Sequence, residues 1–299
     1  MRQFRNERQY EAIRQCSEKR GYPIETLCQI LHVSRAGYYQ WHAGKLSPRA
    51  AENKRIAEQV EEIHGSSPDK GYRRIRDDLT RYYDTSVNDK RVRRICQSLG
   101  IKSTIKYARH SCTRSVSDPK HTAENILNRQ FHADRPNEKW LTDVTEFKYY
   151  IGPVVHKVYL SAILDLYDRR IVAAVIRDAN DCALVYETLD KAVTDNPDAH
   201  PLFHSDRGFQ YTTQVFRDKL AAAGMTQSMS RVGKCIDNGP MEGFWGILKR
   251  ERYYGRRFTS REELVWMIED YIAYYNSRRL QRGLGVLTPF EKHELAMAA

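Results

Sequence analysis

The chain has 299 residues and a net charge of +11, with 41% hydrophobic and 29% charged residues, so it is globular with room for two domains and neither fibrous nor disordered. Its longest stretch free of Asp, Glu, Lys and Arg runs only from Leu220 to Ser230, far short of the ~20 apolar residues of a membrane span. Met1-Arg2-Gln3-Phe4-Arg5 lacks the apolar core of a secretion signal, and Cys16, Cys28, Cys96, Cys112, Cys182 and Cys235 form no CxxC pair, so a cytoplasmic protein with reduced thiols and no zinc ribbon is expected.

The charge is unevenly placed. Residues 1–120 hold 25 Lys and Arg against 14 Asp and Glu, whereas residues 121–299 hold 24 of each. A basic N-terminal region joined to a neutral remainder predicts a polyanion-binding module attached to something else, against the plainer reading of a soluble basic surface.

The first predicted elements are helices. Ile24, Leu27 and Leu31 recur at helical spacing, His32-Val33 makes a break, and Ser34 is placed to cap a second helix through Trp41. This is the outline of a helix-turn-helix. A second unit begins at Gly71-Tyr72-Arg73-Arg74-Ile75, which turns Ile75 and Leu79 inward. After Asp84-Thr85-Ser86, Asn88 is suited to cap a helix with Val92, Ile95 and Leu99 on one face, stopped by Gly100. The other face carries Lys90, Arg91, Arg93 and Arg94 with only Asp89 to offset them, a spacing suited to DNA phosphates; Arg73 and Arg74 join them as expected DNA contacts.

Residues from about Ser103 to Asn137 are polar and interrupted by Pro119 and Pro136, as a connector is. Beyond them the pattern becomes strand-like. Trp140–Phe147, His156–Leu164 and Arg170–Ile176 read as three strands, with a turn at Tyr167-Asp168-Arg169. A helix over Cys182–Val193, a short buried strand Pro201–His204, a helix near Thr213–Ala223 and a strand around Met225–Ser228 follow. A long helix from about Asn238 to Arg252 and an aromatic-rich helix over Glu262–Tyr275 complete the pattern, which is that of a mixed α/β sheet with helices on its faces. The expected boundaries are a helical region at 1–110, a linker at 111–136, an α/β core at 137–255 and a helical extension at 256–299.

Three acids stand out. Asp143 lies within a strand among apolar neighbours, where a charge is costly without compensation. Asp206 follows the buried strand in His204-Ser205-Asp206-Arg207-Gly208, at the carboxyl end where α/β sheets place ligands. Glu242 sits near the start of the long helix, with Asn238 as candidate cap and Pro240 in the first turn. Converging carboxylates repel unless they bind hard cations, and a pair of Mg²⁺ ions can activate a water or hydroxyl for an in-line phosphodiester displacement. Lys249, seven residues past Glu242, falls on the same face and is placed to hold a phosphate. Asp165, Asp168, Glu146, Asp237 and Glu251 are rival acids, of which Glu146 ranks lower because three residues along a strand reverse its face relative to Asp143.

Asp143 and Asp206 are separated by 62 residues, and Asp206 and Glu242 by 35. With Trp140-Leu141-Thr142-Asp143, His204 through Tyr211, and Asp237-Asn238-Gly239-Pro240-Met241-Glu242-Gly243-Phe244-Trp245, this spacing resembles the DDE transposases of bacterial insertion sequences, in the IS-three family with integrase-like catalytic domains. Tyr274-Tyr275-Asn276-Ser277-Arg278-Arg279, Gly283-Leu284-Gly285, Thr288-Pro289 and the connector Asn128-Arg129-Gln130-Phe131 before Arg135-Pro136-Asn137 also resemble that family. The resemblance implies a ribonuclease-H-like core, two divalent metals (Mg, with Mn possible) held by Asp143, Asp206 and Glu242, and cleavage at the element's ends followed by strand transfer to target DNA without a covalent enzyme intermediate. It further implies that this chain is the downstream product of two overlapping frames, that an upstream-frame protein or frameshift fusion is a partner, and that a homo-oligomer brings two DNA ends together. No zipper-type heptad run is present, and Gly239 stands where the family often has Ala. The alternatives are a non-catalytic DNA-binding regulator, which would bind without metal-dependent nicking, and a ribonuclease acting on RNA–DNA hybrids.

Overall fold

A computed structural model describes residues 6–44, 48–105 and 123–298. The chain forms two compact units that divide between Thr104 and Ile105.

The N-terminal unit is helical: α1 (Glu7–Arg20), α2 (Ile24–Ile30), α3 (Arg35–His42), α4 (Pro48–Ser66), α5 (Tyr72–Tyr82) and α6 (Asp89–Ser98). Ser34 caps α3 as expected, accepting the Gly37 N–H, and Tyr10, Ile13, Cys28 and Tyr38 make a small core for α1–α3. A side chain at Gly37 would collide with the Tyr10 hydroxyl, so the approach of α1 to α3 requires glycine there. A second core joins Ile56, Val60 and Ile63 of α4 to Ile75 and Leu79 of α5 and Val92 and Ile95 of α6. Asn88 caps α6 by accepting the Arg91 N–H at 2.8 Å, and Gly100 follows the helix with φ +71°.

The second unit is built on a five-stranded mixed sheet. Its strands are β1 (Lys139–Ile151), β2 (Val154–Asp165), β3 (Ile171–Arg177), β4 (Leu202–Ser205) and β5 (Thr226–Met229), in the order β3-β2-β1-β4-β5. β1, β2 and β3 are antiparallel, while β4 and β5 run parallel to β1. Alternation along β1 sends Trp140 to one face and Leu141 to the other. The Trp140 face packs on α7 (Cys182–Asp195) and α8 (Gln214–Ala222). The Leu141 face packs on α9 (Gly239–Leu248) and α10 (Arg261–Ser277). A final helix, α11 (Pro289–Met297), carries a capping box at Thr288 and Glu291. This is the expected α/β class, a mixed sheet with helices on its faces, preceded by a basic helical region.

The expected internal boundaries shift. Of the segment read as a linker, 106–122 lie outside the described residues (Cys112 among them), but from Ala123 the chain packs on the second unit: Leu127 is buried in its core. The segment expected as a C-terminal extension is equally integral, since Leu264, Met267, Ile268, Tyr271 and Tyr275 of α10 belong to that core and the Asn276 amide pairs with both Ile171 backbone groups. The long helix expected over 238–252 stops at Leu248 and continues as a π-helical turn, Lys249–Tyr253, that directs Glu251 inward. Among the described residues no helix is long and apolar enough to cross a membrane.

Candidate active site

The sheet register brings the first two acids together. β1 and β4 pair in parallel up to Leu141 opposite His204, so two residues further on Asp143 and Asp206 come side by side. Asp206 turns the chain out of β4 by accepting the Gly208 N–H at 2.8 Å. A Cβ on Gly208 would stand 3.0 Å from the Asp206 Oδ1 and 2.9 Å from the Gln210 Oε1, so a side chain here would press on the ends of both. Asp143 shares its face with Leu141 and therefore points toward α9.

Two hydrogen bonds bring the start of α9 to that face. The Trp245 indole donates to the Asp143 Oδ2 at 3.0 Å, and the Asn238 amide donates to the Thr142 carbonyl at 2.9 Å. Asn238 does sit at the N-cap position, but its side chain bonds β1 instead of capping the helix; Pro240 occupies the first turn as expected. Glu242, exposed on that first turn, is thereby carried toward the two aspartates. Gly239 has open space where a Cβ would go, so the alanine common in the family would fit without rearrangement.

The electrostatics follow from this placement. Burial first, and then the Asp206 charge, push the Asp143 carboxyl up to about 7; Glu242 adds a smaller push, while the Val144 N–H and the Trp245 indole act against it. Burial raises Asp206, and partial burial followed by the Asp206 charge raises Glu242. None of the three forms an ion pair among the described residues, and no group of three His, Cys, Asp or Glu among those residues stands close enough together to hold a metal ion. Like-charged carboxylates repel, and closing them to ligand distance requires a cation.

The rival acids all have partners. Asp165 accepts the Asn137 and Tyr167 N–H groups and the Trp140 indole. Asp168 pairs with His293 at 2.7 Å and accepts the Arg170 N–H. Asp237 is enclosed by Arg129 and Arg231, Glu251 by Arg279 and Tyr271, and Glu146 pairs with Lys157 at 2.9 Å. Cationic partners set Asp168, Asp237, Glu251 and Glu146 apart; Asp143, Asp206 and Glu242 have none, and neither does Asp165, whose carboxyl is pushed up to about 6 by burial and then by the Asp168 charge.

Asp143 yields a stability prediction. Its pKa is raised above the ordinary 3.8, so between about 4 and 7 the folded protein binds a proton that the unfolded chain releases, and stability falls as pH rises through that window. Asp143→Asn removes the penalty. Metal-free protein at pH 8 is expected to gain about 1–2 kcal/mol, or roughly 2–8 °C in Tm by calorimetry; an unchanged or lower Tm would exclude a burial and repulsion penalty on this carboxylate.

The expected cationic residues divide into two groups. The Lys249 ammonium lies 5.0 Å from the Phe147 ring centre, and burial lowers its pKa while the Glu146 and Asp143 charges oppose that, so it is within electrostatic reach of the acids. In the N-terminal unit Lys90, Arg93 and Arg94 are exposed on α6, and Arg73 and Arg93 both lie over the Tyr72 ring. Arg91 instead forks the Glu52 carboxylate at 2.8 and 3.0 Å and reaches Asn53, tying α6 to α4, while Arg74 pairs with Asp69 at 3.0 Å. These two contacts inside the unit are not visible in the spacing that groups all six cations.

Comparison with known proteins agrees with this arrangement. The family described as Integrase core domain matches residues 133–235, a second Integrase core domain description matches 242–295, and an HTH-like domain matches 51–109. A protein of Escherichia coli K12 named as transposase InsK for insertion sequence element IS150 is 38% identical over 274 residues, covering 90% of this chain and 93% of its own length. The chain belongs to the DDE transposases of bacterial insertion sequences. An uncharacterized transposase-like protein of Haemophilus influenzae is 41% identical to this transposase over 203 residues, 68% of this chain and 91% of the relative. Among solved structures, the HTLV-2 integrase catalytic core domain in complex with magnesium is 17% identical, covers 54% of the transposase and 99% of its own chain, and has a TM-score of 0.41. The transposase thus joins an HTH-like DNA-binding region to an integrase core, and it functions in DNA integration.

Proposed function

We propose that this transposase cleaves DNA strands at the ends of its element and joins them to a target, using Asp143, Asp206 and Glu242 to hold two divalent metal ions. The observation that carries the reading is that Asp143, Asp206 and Glu242 are all raised in pKa and lack cationic partners, and that the Asp206 charge reaches both of the others. That donor set is all oxygen, as Mg²⁺ or Mn²⁺ prefers.

When bound, such a metal pair activates a water or hydroxyl nucleophile and stabilises the leaving oxygen of an in-line phosphodiester displacement. The chain's own groups do the rest. Asp143 from β1 and Asp206 from the turn after β4 would hold the ions, and Glu242 would complete the set from α9. Trp245 fixes one Asp143 oxygen through its indole N–H. Lys249, held above Phe147 near the same acids, binds a phosphate of the DNA end. No side chain acts as a covalent nucleophile in this scheme. The protein works as a homo-oligomer that pairs two ends, together with an upstream-frame protein or as its frameshift fusion.

The test is direct. Purified protein is incubated with duplexes carrying the inverted repeats that flank its gene, with Mg²⁺, Mn²⁺ or chelator, and with a plasmid target. Metal-dependent nicks at the repeat ends and joined products are expected; retention of the DNA with no cleavage under any metal would mark a regulator, and cleavage confined to RNA–DNA hybrids a ribonuclease.

For DNA retention, Lys90, Arg93 and Arg94 are the proposed phosphate-binding side chains of α6. Their joint replacement by Ala is expected to weaken binding equally on all sequences and to flatten the log K against log[salt] slope by ~0.9 for each phosphate left unneutralised. Arg91→Ala is expected instead to lower the melting temperature of the N-terminal unit, because it frees α6 from Glu52 and Asn53. A salt slope unchanged in the triple variant would move the DNA-binding surface elsewhere.

A further inference from the structure

We propose that Arg129 is a positioning residue for the catalytic carboxylates: paired with the buried Asp237, it holds the segment 123–131 against the entry of α9 and so fixes where Glu242 stands. This rests on the reading of Asp143, Asp206 and Glu242 as the catalytic set. The matched integrase core begins at residue 133, which leaves this segment outside it.

Asp237 is fully buried five residues before Glu242. Its Oδ1 accepts the Arg129 Nε at 2.7 Å and the Arg231 Nη2 at 2.8 Å; its Oδ2 accepts the Arg231 Nε at 2.8 Å and, at 3.1 Å each, the Arg231 N–H and the Asn125 amide. Arg231 alone, bidentate and local, already neutralises this carboxylate. The second guanidinium and the Asn125 amide come from more than a hundred residues away in sequence, which burial of Asp237 by itself does not demand.

The segment is shaped to deliver Arg129. Asn128 and Arg129 both adopt positive φ, +42° and +63°, a conformation rare for two successive residues that are not glycine. The turn is held by the Asn128 N–H donating to the Asn125 Oδ1 at 2.9 Å and the Gln130 N–H donating to the Leu127 carbonyl at 2.8 Å. The same segment also reaches the Asp206 side of the site. The Leu127 N–H donates to the Ser228 hydroxyl, which bonds the buried His204 at 2.9 Å, two residues before Asp206. On the far side of Asp237, Asn238 is tied to the Thr142 carbonyl beside Asp143. One segment therefore has short hydrogen-bonded routes to the neighbours of all three acids, and Arg129 is its charged anchor.

Arg129→Ala leaves Asp237 with its Arg231 partner, so the full-length variant is expected to fold with a Tm near that of the parent. Its strand-cleavage kcat is expected to fall on the order of ten- to a hundredfold, the scale of small misplacements at an active site, with KM for end-bearing DNA unchanged. Mn²⁺ affinity, read by electron paramagnetic resonance on protein without DNA, should weaken in parallel, and Arg129→Lys should restore most of both. Should Arg129→Ala melt below the assay temperature, Arg129→Gln is read in its place. Parental kcat and Mn²⁺ affinity in the Ala or Gln variant, or a loss confined to KM, would overturn the proposal. Asp206→Asn is measured alongside: its inactivity beside a fully active Arg129→Ala sinks the positioning role alone, whereas full activity of Asp206→Asn sinks the catalytic assignment itself.

Discussion

Asp206→Asn and Asp143→Asn are each expected to reduce strand cleavage by at least ~10³-fold, with end-DNA retention unchanged. The magnitude follows from removing a charged ligand from a site whose work is electrostatic, where the loss of one stabilising group costs several kcal/mol of barrier. Glu242→Gln is expected to abolish cleavage as well, although Glu242 is exposed on the first turn of α9 and contributes little to the fold. The separation of effects is what makes the experiment decisive. These acids are uncompensated, so neutralising them does not break an ion pair, and the variants should melt at or above the parental temperature. Inactivity with intact folding and intact DNA retention, measured on the same preparations by calorimetry, gel shift and nicking, identifies chemistry as the lost step. Turnover at parental rates in any of the three would remove that residue from the site.

Arg279→Ala is expected to have the largest effect on stability. Glu251 is buried where the π-helical turn directs it inward, and it accepts the Arg279 Nε at 3.1 Å, the Arg279 Nη2 at 2.9 Å and the Tyr271 hydroxyl at 2.9 Å. Removing the guanidinium breaks this buried ion pair, which costs about 3–5 kcal/mol. Calorimetry should show a Tm lower by roughly 6–20 °C. The double variant Arg279→Met with Glu251→Gln removes both charges and is expected to recover part of the loss; a single variant that melts like the parent would mean that Glu251 finds water or another partner. Exposed pairs such as Arg278 with Asp270 are of a different order and contribute at most ~1 kcal/mol.

The sheet strands are legible in the sequence because their signals are local, whereas the proposed catalytic acids stand out from their rivals only through the resemblance in spacing. Period-two alternation marks β1 and β2, and the acids sit at strand and helix boundaries whose capping and turn chemistry is written in adjacent residues, as Gly208 and Pro240 illustrate. Helices α1 and α4 escape such a reading because their apolar stripes are thin: α4 buries Ile56, Ala57, Val60 and Ile63 within a run otherwise charged or small. The boundary between connector and catalytic unit is obscured for a similar reason. Composition at 123–136 is polar, yet Leu127, Asn125 and Arg129 each find a partner that lies about a hundred residues ahead, and no window of sequence contains both ends of such an interaction. The same limit hides the tie of Arg91 to Glu52, where a cation spaced as if for DNA holds two helices together. Apart from that resemblance, rivals such as Asp237 and Glu251 separate from the proposed catalytic acids only through their cationic partners, which the fold alone supplies.

The packing of α10 into the catalytic core has a bearing on how copies of such genes are read. A copy interrupted just after codon 255 still encodes Asp143, Asp206 and Glu242 at their proper spacing. It lacks Leu264, Ile268 and Tyr271, all fully buried beneath β1 and β2, as well as the Asn276 amide that secures β3. A genome survey that scores mobility by intact acids would count that copy as competent, when it has lost the floor on which those acids stand.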